Sequence, residues 1–418
     1  MMDTLIRNGV VIDGTGEIIK DAVIAVKGDR IAAIGPASDF IGIDAKEVID
    51  VQGSYILPGL IDTHVHMMME IKDVRETLVT PFSMRFYEAQ AYMKRTLDAG
   101  ITTVRDAGYA DLGVKQAIET GLINGPRMQI SVNPLTITGG HGDNWMVSDM
   151  DLTDKAYPGF PSGICDGPEQ VRQKVREMLR AGADIIKVHA TGGVMSPTDH
   201  PEFTQFSMEE LRIIVEEASY RKGRKVMAHA QGAEGVKQAV RAGIHSIEHG
   251  IFLDDEAIEL MLEHGTYLVP TLLAPVSVVE ASEANESMPA YAVDKAKEVM
   301  EIHQRSVAKA YEAGVKIAMG TDAGVMAHGT NLRELALLCD IGMSPMESIL
   351  ASTKAAAECL GWEEKIGTIA EGKLADFVIV KENPLENIAS LADTDNILMV
   401  IQGGKLKKQL SIEAGIPS

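Results

Sequence analysis

The sequence predicts an α/β protein, a closed (β/α)8 barrel of parallel strands joined to a small sheet domain that both chain ends complete. Three observations predict it. Through the middle of the chain, eight short β-branched or apolar runs alternate with helical segments. At both ends the chain reads as short strands broken by glycine turns. Polar residues of metal-ligand type follow the runs one after another, as expected if C-terminal strand ends face one shared mouth. The same alternation also fits a doubly wound open sheet, which remains the rival reading.

The elements follow in order. Val10-Val11-Ile12-Asp13-Gly14-Thr15-Gly16 reads as strand then turn, and Ala22-Val23-Ile24-Ala25-Val26-Lys27-Gly28-Asp29 repeats it, followed by Arg30-Ile31-Ala32-Ala33-Ile34-Gly35. The eight runs lie at 56–63, 102–106, 128–132, 185–188, 225–228, 246–248, 267–269 and 316–319. Between them Phe86, Ala89, Met93 and Leu97 share one helical face, and Ser207-Met208-Glu209-Glu210 is a capping box opening the helix that carries Leu211, Ile214 and Ala218. Gly182 and Gly243 stand where helix turns to strand, the expected place for a C-cap glycine. Phe377-Val378-Ile379-Val380 and Met399-Val400-Ile401-Gln402 return to the strand character of the N-terminus. The chain divides accordingly into 1–56 and 356–418, which build the small sheet domain, and a barrel over 57–355.

Composition narrows the partners. The chain has 418 residues, 45% of them hydrophobic, enough for a sizeable core. Lys plus Arg number 39 against 60 Asp plus Glu, a formal net charge of −21. Such a surface repels phosphate backbones and anionic lipid, so neither nucleic acid nor a membrane surface is expected as a partner. Cys165, Cys339 and Cys359 form no C-x-x-C pair, which excludes a disulfide framework or a thiolate zinc site and fits a reducing cytoplasm. The N-terminus lacks a basic segment followed by an apolar one, and no apolar run of about 18 residues is present, so a cytoplasmic enzyme is expected.

The candidate site grows from the run ends. His64-Val65-His66 is an H-x-H at strand spacing, so both imidazoles point to one side and can grip one ion; alone, such a pair is often incidental. Lys187 ends the fourth run, where a buried amine is costly unless paired or modified. His229 and His249 end the fifth and sixth runs and, taken singly, read as core histidines. Asp322 follows the eighth and, alone, reads as a helix N-cap. His141 sits in the glycine-rich loop Thr138-Gly139-Gly140-His141-Gly142-Asp143, as a loop-stabilising residue or as a donor to a substrate oxygen. Their common position after successive runs favours one site over six separate accidents.

These motifs resemble the amidohydrolase superfamily. The resemblance rests on Leu57-Pro58-Gly59-Leu60-Ile61-Asp62-Thr63-His64-Val65-His66, Lys187, His229, Ile247-Glu248-His249-Gly250, Gly320-Thr321-Asp322-Ala323-Gly324 and Gly367-Thr368-Ile369-Ala370-Glu371-Gly372-Lys373-Leu374-Ala375-Asp376-Phe377, and runs over nearly the whole chain. It implies a (β/α)8 barrel with a β-sandwich built from both ends. It also implies a carbamylated Lys187 bridging two divalent cations, one held by His64, His66, Lys187 and Asp322, the other by Lys187, His229 and His249. Imidazole and carboxylate ligands suit zinc best, with manganese, cobalt or iron as alternatives. Two cations sharing a water would generate the nucleophile near neutral pH, with Asp322 as the proton carrier and His141 beside the carbonyl oxygen.

Within the superfamily the chain is most similar to the branch of Xaa-Pro dipeptidases, carboxypeptidase-like enzymes and ochratoxin-type amidases. The cues are Gly139-Gly140-His141-Gly142-Asp143, Thr191-Gly192-Gly193-Val194-Met195-Ser196-Pro197, and His328-Gly329 with Asn331. This implies cleavage of the amide bond to a C-terminal amino acid in a dipeptide or N-acyl amino acid, with Gly192, Gly193, Gln231 and His328 near the substrate and a homo-oligomeric assembly. Where some dipeptidases of the branch carry a tyrosine, this chain has Gln231, which donates hydrogen bonds but lacks a phenol. The loop 143–165 and the insert 276–303 are positioned to shape the mouth. An imidazolonepropionase-like cyclic-amide hydrolase is the alternative, although such enzymes lack the barrel lysine. A lactonase or phosphotriesterase on the same centre is a further one, and a non-catalytic scaffold would have lost ligand positions that are all filled here.

Overall fold

A computed structural model describes residues 1–410 except 147, 154, 155, 197, 285–287 and 289. Pro197 of the glycine-rich stretch after Lys187, parts of the 143–165 loop and the 276–303 insert, and residues 411–418 of the C-terminal segment therefore lie outside the described residues. The fold is mixed α/β.

Both chain ends enter one sheet of eight strands. Its path runs Lys405–Gln409, Ile397–Gln402, Phe377–Val380, Tyr55–Pro58, Met2–Ile12, Ile18–Lys27 and Arg30–Pro36, and Ala45–Asp50 pairs with Met2–Ile12 off that path. The two ends meet where Phe377–Val380 runs antiparallel to Tyr55–Pro58 with Ile379 opposite Ile56. Alternation along these strands gathers Ile6, Val11, Ile24, Ile56, Phe377 and Ile379 into one buried cluster, each side chain contributing about 1.5–3 kcal/mol of burial.

The run 56–63, read from sequence as one strand, is two. Tyr55–Pro58 belongs to the terminal sheet and Leu60–Val65 opens the central parallel series. Gly59 makes the break: a Cβ there would lie 2.1 Å from Thr102 Oγ1, so only glycine lets the two sheets approach this closely.

The central strands form two parallel sheets. One contains Leu60–Val65, Ile101–Asp106 and Arg127–Ile130; the other contains Ile186–His189, Val226–Gly232, Ser246–Phe252 and Tyr267–Val269. A few backbone bonds bridge them, Leu135 N–H to Lys187 O at 2.8 Å on one side and, through residues 316–319, Leu268 N–H to Lys316 O at 2.8 Å and Thr63 N–H to Met319 O at 2.9 Å on the other. Residues 316–319, expected as an eighth strand, join their neighbours only through such isolated contacts. The seven regular strands thus make two arcs and not one continuous closed ladder.

The helices cover these sheets as their sequences dictate. Met84–Asp98 buries Ala89, Met93 and Leu97, with Phe86 packed against the same core. Met208–Ser219 opens with the expected capping box, in which Ser207 Oγ accepts the Glu210 N–H and the Glu210 carboxylate accepts the Ser207 N–H. Ala233–Ala242 ends at Gly243 with φ of 93°, a left-handed cap that favours glycine. After Tyr267–Val269 two further helices, Leu273–Glu283 and Ala290–Glu312, are inserted. Among the described residues no helix is long and apolar enough to cross a membrane.

Candidate active site

The six residues expected as ligands are brought to one place by five chain segments. His64 is on Leu60–Val65 and His66 just beyond it; Lys187 is on Ile186–His189, His229 on Val226–Gly232 and His249 on Ser246–Phe252; Asp322 follows residues 316–319. Two of them sit in the left-handed backbone region, His249 at φ 76° and Asp322 at φ 66°, as do Tyr109, Val132 and Thr271 at neighbouring strand ends. Each such residue costs roughly 1–3 kcal/mol, a strain that persists only where surrounding structure imposes it.

Within the cluster, His66 Nε2 lies 3.1 Å and His64 Nε2 3.4 Å from Asp322 Oδ1. Lys187 Nζ lies 3.5 Å from His64 Nε2. The His249 ring centroid is 5.1 Å from that of His64 and 4.6 Å from that of His229. Ligand atoms of His64, His249 and Asp322 all fall within 4.8 Å of one another. Burial holds the imidazoles of His66, His229 and His249 below the usual histidine range. Burial also draws Lys187 down to about 8, against the pull of Glu248 and Asp322. Burial pushes the Asp322 carboxyl upward, yet proximity to His64 and His66 prevails and holds it well below the carboxylate range.

This chemistry fits a cation. His66 Nδ1 faces Gly108 O at 3.3 Å, and a carbonyl only accepts, so the ring proton sits on Nδ1. A neutral His66 therefore turns a lone pair on Nε2 toward an ionised Asp322 oxygen, two acceptors with nothing to share unless a positive centre joins them. His229 obeys the same logic. Its Nε2 donates to Gly192 O at 3.0 Å, which leaves Nδ1 as its ligand atom.

Several supporting residues were given no role in the sequence reading. Arg105 and Glu248 are wholly buried, with Arg105 Nη2 at 2.9 and 3.1 Å from the two Glu248 oxygens. Glu248 Oε2 in turn lies 2.7 Å from His64 Nδ1, fixing that ring with Nε2 toward the cluster. Burial opposes the Glu248 charge, but Arg105 and His64 bring its carboxyl down to about 2. Asp62 and Asp106 stitch adjacent strand ends: Asp62 accepts from Thr321 Oγ1 at 2.6 Å and Asn331 Nδ2 at 2.8 Å, and Asp106 from Met67 N–H at 2.7 Å. Burial pushes these two carboxyls up to about 6 and about 7. Asn331 thus serves Asp62. His189 is buried between His141 and His229, with ring centroids at 5.1 and 5.4 Å. A buried polar residue following a strand-borne lysine by two was the one signal available for it.

The residues expected near the substrate fall into two groups. His141 stacks on His229 with centroids 4.3 Å apart, its Nδ1 lying 3.3 Å from Asp199 Oδ2 and its N–H donating to Gln205 Oε1 at 3.2 Å. Gly192 and Gly193 serve close approach, but to other parts of the chain. A Cβ on Gly193 would lie 2.4 Å from His141 Cε1, and one on Gly192 2.4 Å from His200 O. Gln231 adjoins them: its N–H donates to Thr191 Oγ1 at 3.0 Å, and its Oε1 is buried with no partner among the described residues. His328 sits apart from this group, bonded through Nε2 to Met69 O at 2.9 Å and stacked on Tyr92 at 5.0 Å.

Residues 55–407 match the Amidohydrolase family. The ochratoxinase of Aspergillus niger is 36% identical, with 97% of this chain and 86% of that protein covered. A solved structure of a Xaa-Pro dipeptidase with bound methionine in the active site superposes with a TM-score of 0.87 at 38% identity, covering 96% of this chain and 99% of the other. A prolidase complexed with N-methylphosphonate-L-proline gives a TM-score of 0.88 at 34% identity, covering 97% and 100%. The chain belongs to the amidohydrolase family. It is accordingly a hydrolase acting on amide bonds.

Proposed function

We propose that this protein is a binuclear metal-dependent amidohydrolase that cleaves the amide bond to a C-terminal amino acid in dipeptides or N-acyl amino acids, ochratoxin-type amides among them. The observation that carries the reading is the facing of two acceptors, His66 Nε2 and Asp322 Oδ1, 3.1 Å apart. In this reading His64, His66, Lys187 and Asp322 hold one cation and Lys187, His229 and His249 the other, with zinc the best match to the donor set. Lys187 takes part as a carbamate, and an amine drawn down to about 8 supports this by supplying the uncharged form that adds carbon dioxide near neutral pH. When bound, the cations lower the pKa of a water and polarise the scissile carbonyl.

The remaining work falls to side chains. Asp322 accepts the proton of the attacking water and returns it to the departing amine nitrogen. His141, propped by Asp199, donates to the carbonyl oxygen as negative charge develops there. Gln231 offers its side-chain amide to the substrate. The backbone at Gly192 and Gly193 bounds the same space, and His328 backs the mouth from a separate position beside Met69 and Tyr92.

Around this centre the two parallel arcs are read as one (β/α)8 barrel over 57–355, a reading supported by the single backbone bonds between them. Segments 1–56 and 356–418 are read as a β-sandwich. Three free cysteines support a reducing, cytoplasmic setting. Exposed Leu78, Val79, Phe82 and Tyr87 support a homo-oligomer.

The test is hydrolysis of a library of dipeptides and N-acyl amino acids by zinc-loaded protein, reading the amino acid released, with metal counted per chain. Release of one class of C-terminal residue by protein holding about two metals supports the proposal. Turnover confined to cyclic amides or lactones would remove the substrate assignment, and activity at about one metal per chain would remove the binuclear centre.

A further inference from the structure

One ammonium group ties the inserted helix Ala290–Glu312 to the residues that support His141. Lys295 Nζ donates to three backbone carbonyls, Gly193 O at 3.0 Å, Ser196 O at 2.8 Å and Asp199 O at 2.7 Å. An ammonium has three protons, so all its donors are used. One turn earlier Tyr291 donates its hydroxyl to Met195 O at 3.2 Å. Apolar packing follows the same line, with Val194 buried against Ile251, Val293 and Ala296.

What hangs from this clamp is the environment of His141. Asp199 accepts the Gly193 N–H on Oδ1 at 3.2 Å and faces His141 Nδ1 with Oδ2 at 3.3 Å. Gly193 also lies under the imidazole, since a Cβ there would come within 2.4 Å of Cε1. The carboxylate that orients the ring and the floor on which the ring rests are therefore both fixed by the carbonyls that Lys295 gathers.

We propose that Lys295 is a positioning residue that sets His141 against the scissile carbonyl, acting as the internal cation of a cage formed by the carbonyl oxygens of Gly193, Ser196 and Asp199. This rests on the role given to His141 above. Without the ammonium, three carbonyl dipoles converge with no donor between them, and the stretch bearing Asp199 relaxes. An emptied cage should accept a small protonated amine.

The experiment compares Lys295→Ala, Lys295→Met, Asp199→Asn and the Lys295→Ala/Asp199→Asn double variant, using the full chain and the best dipeptide substrate of the wild type. For both Lys295 variants kcat should fall about tenfold to a hundredfold, with KM changed by less than about threefold. Methylamine should restore Lys295→Ala and not Lys295→Met, whose thioether stem fills the cage. The double variant should be no slower than Asp199→Asn alone, because both act through one ring. Hydrogen exchange at the Gly193 amide should quicken in both Lys295 variants while the rest of the chain keeps its protection. Multiplicative losses without amine rescue, or unchanged Gly193 exchange, would overturn the proposal. Lys295→Met keeps the stem packed if the alanine variant does not fold. Should the wild type turn over no member of the library, the functional reading fails by itself, and Gly193 exchange still decides the clamp.

Discussion

Replacing Glu248 by glutamine tests whether the buried charge behind His64 is structural for the site. Glu248 and Arg105 are wholly buried and His64 is 1% exposed, so no solvent can take over a lost partner. The carboxylate receives Arg105 on both oxygens and Ser246 Oγ at 2.6 Å, and faces His64 Nδ1 at 2.7 Å. Glutamine keeps the volume but has one acceptor end, so whichever way the amide turns its NH2 meets a donor. The guanidinium is left without its counter-charge, a loss of about 3–5 kcal/mol. Across 418 residues the unfolding entropy is about 0.9 kcal/mol per kelvin, which turns that loss into a melting midpoint lower by roughly 3–6 °C. The favourable amide rotamer also places NH2 against His64 Nδ1, moving the ring proton to Nε2 and weakening cation affinity about 10–100-fold. Scanning calorimetry and competition with a chelator read the two effects. A midpoint within about a degree of wild type, with unaltered metal retention, would refute the reasoning.

Three further outcomes are expected. Lys187→Met removes a buried amine and leaves an apolar chain of similar length, so the midpoint of metal-free protein should hold or rise while metal content after loading falls below about two per chain; retention of both metals would count against the bridging role. Gly193→Ala forces a Cβ toward His141 Cε1 and should lower kcat by about a hundredfold with an unchanged circular dichroism spectrum, whereas wild-type turnover would place His141 outside the chemistry. Glu217 joins the helices Gly167–Arg180 and Met208–Ser219, accepting from Arg176 at 2.8 and 2.9 Å and from Arg172, and the bonds to Arg176 hold its carboxyl below the ordinary 4.5. A depressed folded value gives stability that is present above the unfolded pKa and lost as pH falls through the folded one. Glu217→Gln should therefore cost about 1–2 kcal/mol in urea unfolding at about pH 7, a cost that shrinks as pH falls below the ordinary carboxylate value; a difference independent of pH would exclude the linkage.

Much of this was legible in the sequence because the site is built on strand ends. H-x-H spacing, the lysine of Ile185-Ile186-Lys187 and the histidines closing two later runs are positions where period-two geometry fixes which way a side chain points. The capping box at Ser207 and the cap at Gly243 were legible for the same local reason. Less visible were features set by contacts distant in sequence. The break at Gly59 depends on Thr102, and the Arg105–Glu248–His64 chain depends on three strands meeting. The eighth run, residues 316–319, has the composition of a strand but reaches its neighbours only by isolated bonds, since chain direction and bending decide a ladder as much as side-chain preference. Gly192 and Gly193 were read as room for a ligand, but glycine admits a neighbouring loop or imidazole just as readily, and here His200 and His141 come that close.

The strained residues explain how a strand end becomes a ligand. An extended chain sends successive side chains to opposite faces; at His249 the strand Ser246–Phe252 is broken by a register shift against Val226–Gly232, and Asp322 follows directly on residues 316–319. A left-handed residue at each position turns the chain aside while its own side chain stays over the centre. The surroundings hold both turns in place: His303 Nε2 donates to His249 O at 2.9 Å, and Asp322 N–H donates to His64 O at 2.8 Å. His303 lies on the inserted helix Ala290–Glu312, the same helix that presents Lys295. One inserted element therefore secures His249 on the histidine-cluster side of the mouth and Asp199 on the His141 side. A displacement of this helix must disturb both halves of the site together.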